Sequence, residues 1–126
     1  MPQYRSVLIV DDSPTSRMII QRCIEMSGFE VGSFVFAENG IDALALLDGD
    51  SGIDLIFSDI NMPKMDGQTF VRLLKNRAST AAIPVVITSS IADGSIESEL
   101  NRLGISAFIK KPVSPEKVLR ALGGKE

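Results

Sequence analysis

The stretch DLIFSDINMPKMDG, residues 54 to 67, joins an apolar run to a carboxylate and then to a turn. The run from Leu55 to Ser58 is typical of a strand that is buried on both faces, and it places Asp59 at the end of that strand. Removing a carboxylate from water costs free energy, so Asp59 needs a compensating partner. The pair Asp66-Gly67 indicates a turn and the start of a helix.

Similar apolar runs recur along the chain and alternate with segments of helical periodicity. The strand-like runs are Ser6 to Val10, Val35 to Ala37, Pro84 to Thr88 and Ala107 to Ile109. The helix-like segments are Ser16 to Ser27, Ile41 to Leu47, Gln68 to Asn76, Ile96 to Leu103 and Pro115 to Leu122. Five strand-helix units predict an α/β protein with a single doubly wound domain and a five-stranded parallel sheet. Gly32 interrupts the apolar pattern of residues 29–36, so the register of the second strand stays open.

The expected helix boundaries carry their own signals. Ser13 and Ser114 each precede a proline, an arrangement that predicts an N-cap followed by a proline in the first turn. Gly28 and Gly104 stand where the first and the fourth helices are expected to end. These signals support the division of the chain into strand-helix units.

The bulk properties limit the classes of function. With 126 residues and 44% hydrophobic content, the chain fits one globular domain that needs no disulfides. A net charge of −3 argues against nucleic acid and anionic membranes as partners, because both select basic surfaces. The single Cys23 and the absence of a signal peptide or membrane-spanning stretch favour the cytoplasm. The chain contains no histidine, so imidazole catalysis and a phosphohistidine on this polypeptide are excluded.

Polar and charged residues follow the predicted strands at their carboxyl ends. Because the carboxyl ends of parallel strands share one edge, these residues are expected to meet there. Clustered carboxylates repel one another unless a cation lies among them, and oxygen ligands suit Mg²⁺ or Mn²⁺. A metal, a carboxylate nucleophile, a hydroxyl and a lysine together suit phosphoryl transfer, with Asp59 as the nucleophile. The residues are Asp11 and Asp12 after the first strand, Asp59 after the third, Thr88 to Ser90 after the fourth, and Lys110 and Lys111 after the fifth.

Each of these residues alone also has a structural interpretation. The pair Asp11-Asp12 would serve as a cap for the next helix, and Lys110-Lys111 as solvated surface charge. Ser89 alone is more typical of an ordinary strand end. Only their joint placement at one edge favours the functional interpretation.

The motifs VLIVDDSPTSR, FSDINMPKMDG, PVVITSS and FIKKP occur in this order along the chain. Together they resemble the receiver domain of two-component response regulators, the CheY-like type, over about Ser6 to Leu122. The resemblance implies a flavodoxin-like sheet with the strand order 2-1-3-4-5. It also implies a bacterial signalling switch that carries an aspartyl phosphate, and not an enzyme with other substrates.

The resemblance assigns roles to individual residues around the expected metal. Asp59 matches the phospho-acceptor, and Asp12 matches the acid that binds Mg²⁺ directly together with it. Asp11 matches the acid that acts mostly through a metal-bound water, and Asn61 matches the residue whose backbone carbonyl binds the metal. We expect the metal and a lysine to offset the desolvation cost of Asp59, and its exposure to permit phosphorylation.

Further matches concern the switch and the phosphate contacts. Ser89 matches the switch hydroxyl, and Lys111 matches the lysine that contacts the phosphoryl group. Lys111 and Pro112 match a cis peptide bond. Phe108 matches the aromatic switch position, although an ordinary core aromatic fits equally well. Ile91 matches a position that tunes dephosphorylation, and its apolar side chain predicts slow hydrolysis.

The end of the matched region near Leu122, followed by GGKE, predicts a stand-alone receiver, residues 1–126, without an output domain. A sensor histidine kinase or a histidine phosphotransfer protein would donate the phosphoryl group, because this chain has no histidine. Phosphorylation would switch the surface formed by the fourth helix, the fifth strand and the fifth helix, and so signal to a downstream effector protein. The pathway would be of the chemotaxis type or a phosphorelay. A monomer, or a weak dimer formed on phosphorylation, is expected.

Three alternatives stay open on the sequence alone. A Mg²⁺-dependent phosphatase with an aspartyl-phosphate intermediate would want an acid two residues after the nucleophile, where Asn61 stands. A flavodoxin-like redox protein would need a glycine- or hydroxyl-rich phosphate loop where Asp11 and Asp12 stand. A degenerate receiver would act as a constitutive interaction module without phosphorylation.

Overall fold

The computed structural model describes residues 2–49, 52–90 and 94–123, and within them strands alternate with helices. The strands are β1 (Tyr4–Val10), β2 (Val31–Ala37), β3 (Leu55–Asp59), β4 (Val85–Ser89) and β5 (Ala107–Lys110). The helices are α1 (Pro14–Met26), α2 (Gly40–Gly49), α3 (Gly67–Lys75), α4 (Gly94–Leu103) and α5 (Pro115–Ala121). All strand pairs are parallel, in the order β2-β1-β3-β4-β5. The predicted fold class and strand order are confirmed.

The central strands are buried on both faces of the sheet, which explains their unbroken apolar runs. Side chains of successive residues point to opposite faces, so each strand contributes to two separate cores. On one face, α2, α3 and α4 cover a core that includes Leu8, Val10, Ile56, Phe70 and Leu100. On the other face, α1 and α5 cover a core that includes Val7, Ile9, Phe57, Ile24 and Val118. None of the helices in the described residues is both long and apolar enough to span a bilayer.

Strand β2 is longer than its apolar run indicated, because it passes straight through Gly32. Its residues from Val31 to Ala37 pair in parallel with β1. A Cβ atom added at Gly32 would lie 2.6 Å from the carbonyl oxygen of Arg5, so only glycine permits this close approach of the two strands. Gly32 therefore interrupts the apolar pattern without interrupting the strand, and the register that the sequence left open is fixed.

The helix caps agree with the sequence signals. The side chains of Ser13 and Ser114 each accept a backbone N–H of the following helix at 3.2 Å. Asp66 caps α3 in the same way, since its side chain accepts the Thr69 N–H at 2.8 Å. All three capped helices begin at the carboxyl edge of the sheet, where the candidate site lies.

Candidate functional site

The sheet brings the predicted site residues to one edge. Asp11 directly follows β1, Asp59 ends β3, Ser89 ends β4 and Lys111 directly follows β5. These strands are hydrogen-bonded neighbours, so residues that are far apart in sequence lie side by side. Asn61 is exposed in the loop after β3, whereas Ile91 lies outside the described residues.

Three carboxylates form the acidic part of this edge. One oxygen each from Asp11, Asp12 and Asp59 lies within 4.8 Å of the other two. Asp11 is only 1% exposed and Asp59 only 8%, whereas Asp12 is open to solvent. An all-oxygen donor set with one exposed member fits a hard divalent cation, which commonly keeps several of its waters.

The ammonium group of Lys111 places a positive charge among these carboxylates. Its Nζ atom lies 3.1 Å from Oδ2 of Asp11 and 3.6 Å from Oδ2 of Asp59. Its backbone N–H donates to the carbonyl oxygen of Ser89 at 2.7 Å, so the position of Lys111 is tied to the end of β4. The peptide bond between Lys111 and Pro112 is cis.

The carboxyl group of Asp59 is electrostatically unusual. Burial raises the pKa of Asp59 above its ordinary value, because the ionised form loses water. The Lys111 ammonium lowers this pKa, Asp11 raises it, and the backbone N–H groups of Ile60 and Asn61 lower it. The Ile60 N–H donates to Oδ1 of Asp59 at 2.8 Å, while Oδ2 is the oxygen nearer to the lysine. The net shift is upward because the effect of burial is the largest.

Asp59 is less exposed than its position at a strand end suggested. Only 11% of its side chain is accessible to solvent. One reason is that α3 begins directly against the end of β3: the Gly67 N–H donates to the carbonyl of Ile60 at 2.8 Å. A Cβ atom at Gly67 would lie 2.7 Å from the Cα atom of Ile60, so a larger residue would push the helix away. A molecule in solution can therefore reach Asp59 only from the carboxyl edge of the sheet.

Ser16, in the first turn of α1, is a site residue that the sequence analysis missed. Its hydroxyl donates to Oδ2 of Asp11 at 2.7 Å and accepts from Nζ of Lys111 at 3.3 Å. Oδ1 of Asp11 accepts a hydrogen bond from the backbone N–H of Ser13 at 2.9 Å. The backbone carbonyl oxygen of Asp11 accepts a hydrogen bond from Nη1 of Arg17 at 2.6 Å. The sequence held one signal for the contact with Asp11. Ser13, two residues after Asp11, caps α1, so the first turn of this helix lies close to that aspartate.

Ser89 and Phe108, the residues matched to the switch, belong to one face of the sheet. Phe108 is half-buried and packs against the core that contains Ile87 and Leu100. It stands opposite Ile87 in the register of β4 and β5, and Ser89 lies two residues further along β4. Residues two apart on a strand share a face, so Ser89 and Phe108 are placed as neighbours at the end of this core.

The strand order defines an open α/β protein. Its candidate site, the carboxylates and Lys111, lies at the carboxyl ends of the strands, where open parallel sheets bind ligands. The chain belongs to the response regulator receiver domain family, whose model matches residues 7–123. The family resemblance that the four motifs indicated is thereby confirmed.

Relatives and solved structures agree with this assignment. The chain is 34% identical over 117 residues to protein PilG of Pseudomonas aeruginosa, which covers 92% of this chain and 83% of PilG. It is 35% identical over 111 residues to the chemotaxis protein CheV3 of Helicobacter pylori, covering 83% of this chain but only 36% of CheV3. The structure of the chemotaxis response regulator CheY4 of Vibrio cholerae superposes with a TM-score of 0.80 at 29% identity, over 95% of this chain and 97% of CheY4.

Proposed function

We propose that this receiver domain accepts a phosphoryl group on Asp59 in a Mg²⁺-dependent reaction. The observation that carries the proposal is the position of the Asp59 carboxylate: its Oδ2 lies 3.6 Å from Nζ of Lys111, and one of its oxygens belongs to the cluster with Asp11 and Asp12. A carboxylate beside both a lysine cation and a site for a divalent cation has the neighbours that a transferred phosphoryl group requires.

The phosphoryl donor is a phosphohistidine outside these 126 residues, since they contain no histidine. A carboxylate oxygen of Asp59 attacks the phosphorus, a P–O bond forms, and the P–N bond breaks with its electron pair returning to the imidazole of the partner. A sensor histidine kinase or a histidine phosphotransfer protein has this chemistry. The reaction takes place in the cytoplasm, a compartment that suits the free, buried Cys23.

Asp11, Asp12 and Asp59 would hold the metal, together with the backbone carbonyl of Asn61. When bound, Mg²⁺ supplies positive charge for the oxygens of the phosphoryl group. Lys111 would contact one phosphoryl oxygen through its ammonium group, and the hydroxyl of Ser89 would donate to another. Both contacts are charge-assisted hydrogen bonds, which are stronger than neutral ones.

The output is a change at the surface formed by α4, β5 and α5. Movement of Ser89 toward the phosphoryl group would vacate space beside Phe108 and permit that ring to turn inward. Nζ of Lys117 donates to the carbonyls of Lys110 and Pro112, each at 2.9 Å, so a displacement of β5 is passed on to α5. A groove between β5 and α5, lined by Phe108, Lys110, Lys117 and others, is the surface that an effector protein would contact.

The test is the intact mass of the protein after incubation with acetyl phosphate and Mg²⁺. We expect a gain of about 80 Da, the mass of one phosphoryl group, in the wild type. The gain should be absent in Asp59→Asn and in the absence of Mg²⁺. Asp66→Asn is the matched control, because Asp66 is a nearby exposed aspartate whose capping role asparagine also fulfils. A wild type that binds Mg²⁺ but gains no mass would instead be a degenerate receiver, and an adduct that persists in Asp59→Asn would reject Asp59 as the acceptor.

A further inference from the structure

We propose that Ser16 is a positioning residue that holds the Lys111 ammonium against Asp11, and away from Asp59, in the resting protein. This inference rests on the proposed function, in which Lys111 contacts a phosphoryl group on Asp59. Ser16 would thereby set how readily the lysine leaves its resting partner. No motif of the sequence assigns Ser16 a role.

Three contacts form a closed ring around the Ser16 hydroxyl. Oγ of Ser16 donates to Oδ2 of Asp11 at 2.7 Å, and Nζ of Lys111 donates to Oγ of Ser16 at 3.3 Å. The same ammonium lies 3.1 Å from Oδ2 of Asp11. A serine hydroxyl has one proton and two lone pairs, so it can donate to the carboxylate and accept from the ammonium at the same time. Ser16 therefore binds both members of the ion pair.

Because of this ring, the Lys111 ammonium has more hydrogen-bond acceptors toward Asp11 than toward Asp59. On the side of Asp11, the ammonium has two acceptors within hydrogen-bond distance, the carboxylate and the Ser16 hydroxyl. On the side of Asp59, the carboxylate oxygen Oδ2 is 3.6 Å away, which is too long for a hydrogen bond. The hydroxyl thus adds to the preference of Lys111 for Asp11.

Asp11 itself is fixed, so the lysine must be the part that moves. Asp11 is almost fully buried, its Oδ1 accepts the Ser13 N–H, and its carbonyl accepts from the guanidinium of Arg17. Lys111 has a flexible side chain that is 24% exposed. A move toward a phosphoryl group on Asp59 draws the ammonium away from the acceptors in this ring, and Ser16 is one of them.

The first experiment measures the lysine without any metal. An acetylating reagent labels Lys111 at a rate that depends on how often its amine is free of its hydrogen-bond acceptors. Mass analysis of the peptides gives this rate relative to the labelling rate of the exposed Lys64. We expect Ser16→Ala to raise the relative rate about fivefold, the fold-change that corresponds to one net hydrogen bond. Ser16→Thr, which keeps the hydroxyl, should restore the wild-type rate. Thr15→Ala is the matched control, because it removes an exposed hydroxyl from the same helical turn.

An unchanged labelling rate in Ser16→Ala would overturn the proposal, and so would an equal increase in Thr15→Ala. Either result would mean that the hydroxyl does not retain the ammonium. The labelling needs neither Mg²⁺ nor phosphorylation, so its outcome is independent of the proposed function.

The second experiment is a calorimetric Mg²⁺ titration of the wild type, Ser16→Ala, Lys111→Met and the double variant. Because an ammonium held at Asp11 repels a divalent cation, we expect Ser16→Ala to bind Mg²⁺ about fivefold more tightly than the wild type. In the Lys111→Met background, removal of the hydroxyl should change the affinity less than about twofold, since the ammonium is already absent. An equal gain in both backgrounds, or weaker binding in Ser16→Ala, would overturn the proposal. A wild type without Mg²⁺ binding would reject the proposed function, and the labelling rates would still decide the role of Ser16.

Discussion

Two half-buried lysines lie at different places in this molecule, and their partners differ in kind. Lys111, at the carboxyl edge, lies near the carboxylates of Asp11 and Asp59. Lys75, on α3, donates to the backbone carbonyls of Ala81 at 3.1 Å and Ile83 at 3.4 Å. Burial lowers the pKa of Lys75, as expected for an ammonium that has neutral acceptors around it.

The partners of these two half-buried lysines, more than their burial, indicate their roles. The carbonyl acceptors of Lys75 belong to the backbone between α3 and β4, so this lysine fixes the path of the chain. Lys111 has a carboxylate and a hydroxyl within hydrogen-bond distance, at 3.1 and 3.3 Å, and a second carboxylate further away at 3.6 Å. A lysine with several alternative acceptors is suited to change partners when a new anion arrives, whereas Lys75 is suited to one arrangement.

The largest expected difference between the two lysines is in phosphorylation. We expect Lys111→Met to slow the Mg²⁺-dependent reaction with acetyl phosphate about a hundredfold, because it removes a preorganised positive charge from the reacting oxygens. Lys75→Met should change the rate less than about twofold, since its ammonium contacts only backbone carbonyls. The initial rate of adduct formation by intact mass measures both. Similar rates in the two variants would contradict the division of roles.

Stability is expected to show a smaller difference, centred on Lys75. Lys75→Met should lower the free energy of unfolding by about 1 kcal/mol, because the carbonyls of Ala81 and Ile83 lose their donor. Urea denaturation followed by circular dichroism measures the loss. Lys64→Met is the control, because Lys64 is exposed, and it should leave the unfolding free energy unchanged. A Lys75→Met protein as stable as this control would show that the two carbonyl contacts contribute nothing.

The smallest expected effect is a pH dependence of opposite sign in the two regions. The raised pKa of Asp59 means that the folded state binds its proton more tightly than the unfolded state does, so stability falls as the pH rises from the unfolded to the folded pKa. The lowered pKa of Lys75 means that the unfolded state binds its proton more tightly, so stability rises with pH between the folded and the unfolded pKa in the alkaline range.

Urea titrations across the pH range test both signs. The stability of Asp59→Asn relative to the wild type should increase as the pH rises through the acid window. The stability of the wild type relative to Lys75→Met should increase as the pH rises through the alkaline window. A relative stability that stays constant with pH in either pair would show that the corresponding residue has the same pKa in the folded and unfolded states.

The sequence predicted the strands, and it predicted that acidic residues, a hydroxyl and a lysine lie at one edge of the sheet. Both predictions rest on local patterns along the chain. An apolar run identifies a strand buried on both faces, and the residue after the run identifies what lies at the edge. The extent of β2 was not predictable, since the need for glycine at position 32 arises from the carbonyl of Arg5 on the neighbouring strand. The burial of Asp59 depends on how closely Gly67 approaches Ile60.

The contact of Ser16 with Lys111 was not predictable for a related reason. A serine in the first turn of a helix is an ordinary polar residue when only its neighbours in sequence are considered. Its significance comes from Lys111, which lies 95 residues further along the chain. The cap at Ser13 is a local signal that places Ser16 near Asp11, whereas the contact with Lys111 depends on the packing of α1 against the edge of the sheet.

The strand order also has a consequence for synthesis on the ribosome. Each strand pairs with one that precedes it in the chain: β2 and β3 with β1, β4 with β3, and β5 with β4. A chain that emerges from its N-terminal side can therefore extend the sheet outward without opening a pair that has already formed. The carboxylates of Asp11 and Asp59 arrive with the first and third strands, whereas Lys111 arrives only after the fifth. The two carboxylates are thus synthesised before their cation, and the charge balance of the site can be completed only when the segment after β5 has docked.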